Sequence, residues 1–105
     1  MLLGKENNEN EGGVMGTVEN WNEFKRRQPE LAEQVHELVM ALYGLGADRA
    51  KDAKELQTLK GILKGSSQDD LRLLGITALT DAVLLHAVFV LGGDLLLNTE
   101  RGGQP

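Results

Sequence analysis

The chain contains no cysteine. That single absence excludes disulfides, thiolate metal ligands and cysteine nucleophiles, and it is compatible with a reducing, cytoplasmic setting. Proline is nearly absent too. Only Pro29 and the terminal Pro105 occur, so nothing between them bars a helix. Positive charge is in deficit: 11 Lys and Arg stand against 16 Asp and Glu, for a net charge of −5. An acidic balance argues against broad, charge-driven binding to nucleic acid or to an anionic membrane. The first residues lack an apolar run of signal-peptide length, and Met-Leu is not a myristoylation start. There is no G-x-S-x-G, no phosphate-cradling glycine loop and no H-E-x-x-H, and only two histidines. These absences predict a protein that is not an enzyme and takes no cofactor.

What is present suffices for one small domain. Hydrophobic residues make up 41% of 105, enough for a core and too many for a wholly disordered chain. Residues 1–16 are rich in Asn, Glu and Gly and predict a flexible arm; residues 98–105 predict a flexible tail. The helical domain is expected between them, over 17–97. Its first helix is predicted at 18–27, where Val18, Trp21 and Phe24 recur every third residue and Thr17 is placed to cap. Pro29 suits the first turn of a second helix. There Leu31, Val35, Leu38, Val39 and Leu42 fill one face and Glu30, Glu33, Gln34 and Glu37 the other. Gly44 to Gly46 close it.

A third helix is predicted over 47–64. Its acidic start and basic end complement the helix dipole, but its apolar residues fall only in the second half. A fourth is predicted from a Ser66 or Ser67 cap, with Asp69 and Asp70 behind it, to Leu91, ahead of Gly92 and Gly93. The expected architecture is therefore all-α: a small four-helix bundle. It has a short first helix, an antiparallel hairpin of the second and third, and a long, apolar, central fourth helix. The second helix is acidic and the third net basic, which favours their pairing, though each exposed pair contributes only ~0–1 kcal/mol.

The segment 76–97 is the most apolar part of the chain, yet it holds Asp81, His86 and Asp94. As a membrane span it fares poorly. Its strongly apolar residues favour insertion by about 3–5 kcal/mol, and Asp81 alone takes back about 2.5–3.5. Asp81 and His86, five apart on a helix, point to different neighbours, whereas Thr77 and Asp81 would form a narrow polar stripe. Glu33 and His36 make one E-x-x-H, where a di-metal helical bundle needs two copies and two further Glu. Lys25 to Arg27 and the cations at Arg49, Lys54, Lys60 and Lys64 fit solvated faces better than a nucleic-acid reader.

Gly75, Ala78 and Ala82 would lie within about 60° on the fourth helix, a row of small residues that lets another backbone approach. With Leu85, Phe89 and Asp81 they form the predicted interface. A domain this small has little apolar cover for a helix greasy on every side, and a second copy would supply it. The expectation is a non-enzymatic, self-associating helical interaction module, most simply a homodimer, acting as a small adaptor or regulatory subunit for an unidentified protein partner. A membrane-associated small protein using 71–91 is the alternative, and a metal-binding helical oligomer using Glu33 and His36 the third.

Overall fold

A computed structural model of the protein describes residues 16–102. The predicted arm, save Gly16, and residues 103–105 lie outside the described residues. The described chain forms six helices and no strand: α1 Thr17–Arg27, α2 Pro29–Leu45, α3 Ala47–Ala50, α4 Lys54–Leu63, α5 Gln68–Leu73 and α6 Asp81–Gly102. The class is all-α, as expected. The count differs because the third and fourth predicted helices each break in two.

The first two helices follow the sequence pattern. In α1 the cap shifts by one residue. Gly16, not Thr17, is the N-cap, and Glu19 Oε1 accepts from the Gly16 N–H at 2.7 Å. This is the carboxylate half of a capping box, satisfying a donor that the helix leaves over. Pro29 opens α2 and Gly46 closes it.

The third predicted helix fails for a geometric reason. Ala50 is fully buried, and so are Leu56, Leu59 and Leu63. At 100° per residue a continuous helix would set Ala50 about 120–180° around from those leucines, away from the face they share. No straight helix could bury both. The chain resolves this at 51–53, where Ala53 turns extended (φ −79°, ψ 145°) and α4 starts afresh.

The fourth breaks at Gly75. Ser67 caps α5 as expected, its Oγ accepting from the Asp70 N–H at 3.1 Å. Eight residues after Ser67, Gly75 adopts φ +78°. The Gly75 N–H then donates to Arg72 O at 3.0 Å and the Ile76 N–H to Leu71 O at 2.9 Å. This is the Schellman helix stop, which wants a residue without Cβ at the left-handed position. Ile76 beyond it is buried. Thr80 restarts the chain, its hydroxyl accepting from Val83 N–H at 3.3 Å and its carbonyl from Leu84 N–H at 2.9 Å. From there α6 runs through Gly92 and Gly93, where the sequence pattern had predicted a stop, and past Leu97 to Gly102.

α2 and α6 share the centre. They pack on each other, and each also touches α1, α3 and α4. Trp21 and Phe24 of α1, Val35, Val39 and Leu42 of α2, the three leucines of α4, and Leu84, Val88 and Leu91 of α6 build one core. One buried carboxylate joins it. Asp70 is 3% exposed, accepts from Gln28 Nε2 at 3.2 Å and has Arg27 Nε 3.8 Å away. It ties α5 to the end of α1, so the basic cluster at 25–27 serves partly as an internal strap. Among the described residues no ion pair joins the acidic α2 to α4. The expected rim pairing is not what holds these two together; buried leucines and valines are.

Candidate functional site

α6 is 22 residues long, about 33 Å at 1.5 Å per residue. It turns Leu84, Ala87, Val88, Leu91, Gly92 and Leu95 inward. The opposite side holds Ala82, His86, Val90, Leu96 and Leu97, all exposed, with Leu85, Phe89 and Gly93 half-buried at its edges. On the helical wheel Ala82, His86, Phe89, Gly93 and Leu97 fall within about 80° of one another. Val90 is 44% exposed, Leu96 43% and Leu97 58%. Asp81 and Asp94 lie off this stripe, so between 82 and 97 its one ionisable side chain is His86. A helix at the edge of a small bundle should present a charged face to water. α6 presents an apolar one.

The predicted interface residues divide. Ala82, Leu85 and Phe89 lie on α6, on or beside this outward side, and Phe89 packs on Tyr43 with ring centroids 5.4 Å apart. Gly75 and Ala78 lie in the connector before α6, so they form no helical stripe with Ala82. Gly75 does come near the face from another direction. It lines a depression of about 130 Å³ together with His86 and Val90. Thr77 is likewise in the connector and makes no polar stripe with Asp81.

Asp81 is satisfied inside the chain. Lys60 Nζ of α4 sits 2.7 Å from its Oδ1, with Gln57 Nε2 donating at 3.5 Å. The hydrogen bond from Lys60 is the main cause that holds the Asp81 carboxyl below its ordinary value of 3.8; desolvation acts the other way, and the Lys60 charge and Gln57 add to the lowering. A carboxyl lowered by folding stabilises the native state above its unfolded value, and that contribution disappears as pH falls through the folded one. Asp81 is exposed, so solvent screens the pair and the effect is small. The expected result is a melting-temperature gap between the wild type and Asp81→Asn that is present at pH 7 and closes below about pH 3.8. A gap unchanged down to pH 2 would show that Lys60 does not recognise the charge.

A second concavity, about 550 Å³, lies between α1, α2 and the far end of α6. Trp21, Ala32 and Leu95 floor it, while Lys25, Glu30, Glu33 and His36 stand around it. The Trp21 and His36 rings are 6.0 Å apart. Glu33 and His36 therefore share a groove, but among the described residues no three His, Asp or Glu side chains gather as a metal would require.

Val90 falls within the predicted fourth helix, whereas Leu96 and Leu97 lie beyond the end that Gly92 and Gly93 predict. The usable signal was "LLLN" beyond them. Leu91 and Leu95 stand four apart, continuing the inward face across the glycines. By length and composition Asp81–Asn98 could cross a membrane, and a third of it is buried within the protein. No family model matches the chain, nor does any curated protein or solved structure.

Proposed function

We propose that the protein is a non-enzymatic interaction module that self-associates through the outward face of α6 and works as a small adaptor or regulatory subunit. In this reading α1, α2, α4 and α6 act as a four-helix bundle, with the short helices α3 and α5 as its joints. The observation that carries it is the solvent-facing stripe without Asp, Glu, Lys or Arg, with Val90, Leu96 and Leu97 each more than two-fifths exposed. An apolar patch of this continuity on a small soluble domain is the usual mark of an association surface.

Membrane attachment is the second reading, favoured by the length and apolarity of Asp81–Asn98. Helices that lie on membranes rim their apolar face with Lys and Arg. Here no Lys or Arg occurs between Arg72 and Arg101, and the rim carries Asp81 and Asp94. That charge pattern favours a protein partner.

Sedimentation velocity across micromolar concentrations tests the reading. The wild type is expected to shift from about the 11.4 kDa monomer toward an oligomer as concentration rises. Leu97→Glu is expected to hold the monomer with little change in melting temperature, since Leu97 is 58% exposed and supports no core contact. A wild-type monomer at every concentration would refute self-association. If the same protein then co-sediments with vesicles of neutral lipid, the membrane reading replaces it.

A further inference from the structure

Resting on the proposed self-association, we infer that the partner on α6 is a second copy of α6 running antiparallel, about a two-fold axis at the Phe89–Val90 junction. Three features of the exposed stripe carry this.

The first is the pattern of burial. About the midpoint between 89 and 90 the buried positions of α6 mirror one another. Leu84, Ala87 and Val88 are buried on one side, and Leu95, Gly92 and Leu91 are buried at the mirrored positions. Ala82 and Leu97 are both exposed, as are Asp81 and Asn98 at the ends of the stretch. The midpoint also falls on the centre line of the outward stripe, at 100° per residue. A two-fold axis there lays the exposed stripe of one copy on that of the other, with both cores turned away. Such a contact uses one self-complementary patch and closes.

The second is the order of sizes. Along the stripe the residues run small, large, large, small, large: Ala82, His86, Phe89, Gly93, Leu97. The antiparallel arrangement puts His86 of one copy in a layer with Gly93 of the other, and Ala82 with Leu97. Phe89 shares the central layer with Val90. Large side chains meet small ones in every outer layer, which is how helix surfaces interdigitate. A parallel arrangement puts each residue beside its own copy. Gly93 would then face Gly93 across a void, and His86 would crowd His86.

The third is charge. In a parallel pair both Asp81 side chains share one level, and both Asp94 side chains another. In the antiparallel pair the level of Asp81 in one copy is that of Asn98 in the other, so the two Asp81 side chains are set at opposite ends of the contact. The two Asp94 residues stand nine residues apart along the axis, about 14 Å, beyond the ~8 Å screening length at physiological salt. The helix dipoles also oppose each other instead of aligning.

The chain has no cysteine, so single introduced thiols report the geometry without interference. Val90→Cys, Leu97→Cys and Ala82→Cys change exposed positions only. Thr58→Cys, on the exposed side of α4, measures random collision. Under mild oxidation Val90→Cys is expected to link to itself roughly tenfold or more above Thr58→Cys, because pairing raises the thiols' effective concentration. Leu97→Cys alone should stay at the collision level, its two copies being about 22 Å apart along the axis. Mixing Leu97→Cys with Ala82→Cys should restore linkage between the two variants. Self-linkage of Leu97→Cys overturns the antiparallel pairing in favour of a parallel one. If sedimentation shows an oligomer but none of the α6 thiols links above Thr58→Cys, this pairing is wrong while self-association stands. A monomer throughout, with no linkage, removes both.

Discussion

Phe24→Ala is expected to remove about 3–5 kcal/mol of stability, the usual cost of deleting a buried aromatic ring and leaving a cavity. Phe24 has no solvent exposure at all. It lies 5.7 Å, centroid to centroid, from Trp21, and the two rings are how α1 reaches the core. Domains of this size hold only about 5–15 kcal/mol in total, so the loss should lower the melting temperature by on the order of 15–30 °C. The consequences spread beyond α1. Its last turn carries Arg27, and the next residue is Gln28; both meet the buried Asp70. Loosening α1 therefore leaves a carboxylate in the interior without its partners, a second cost on top of the cavity. Thermal melts followed by circular dichroism decide the matter. A drop of less than about 5 °C would mean that α1 is not an integral part of the fold.

The pair of rings at 21 and 24 was legible because an apolar period of three or four, a cap and a proline coincide around α1 and α2. The regions that were not legible share a different property. Over 47–64 the residue types all tolerate a helix, and only the requirement to bury Ala50 and Leu59 together forbids a straight one. That requirement is tertiary and leaves no local mark. Gly75 did leave one. Leu71, four residues before it, and Ile76, just after it, are the apolar pair that accompanies a left-handed helix stop. Read as one of a row of small residues, it was assigned to a helix face instead. The interface prediction inherited that error at Gly75 and Ala78, yet Ala82, Leu85 and Phe89 remained beside the surface that α6 exposes. Asp81 was assigned to the same interface, and its partner Lys60 is 21 positions earlier in the chain, a pairing that no periodicity announces.

Gly92 is the opposite case, a glycine whose role is to be crossed closely rather than to bend. Gly92→Ala is expected to destabilise the protein even though alanine is the better helix former. A Cβ built there would stand 2.8 Å from Tyr43 Cδ1, 3.1 Å from Cγ and 3.2 Å from Cβ. Two of those atoms are the root of the side chain, so rotating the ring does not clear them, and α2 and α6 must separate. Overpacking of this kind costs about 1–3 kcal/mol, against about 1 kcal/mol gained in helix propensity. Gly61 provides the control. It is exposed within α4 with nothing within 4 Å of a built Cβ, and Gly61→Ala should raise stability by about 0.5–1 kcal/mol. The two changes are the same in chemistry and opposite in expected sign. Tyr43→Ala supplies the decisive background: with the ring gone, Gly92→Ala should become neutral or stabilising, and the double-mutant cycle isolates the contact. The strain also bears on the association surface. Tyr43 is the ring on which Phe89 packs, so displacing it shifts the side chain at the centre of the proposed α6 pairing. Gly92→Ala is thus expected to weaken self-association in sedimentation as well as to lower the melting temperature, whereas Gly61→Ala should leave association untouched. If Gly92→Ala raises the melting temperature as Gly61→Ala does, then α6 does not pass Tyr43 this closely, and the outward face of α6 is not held in place from beneath.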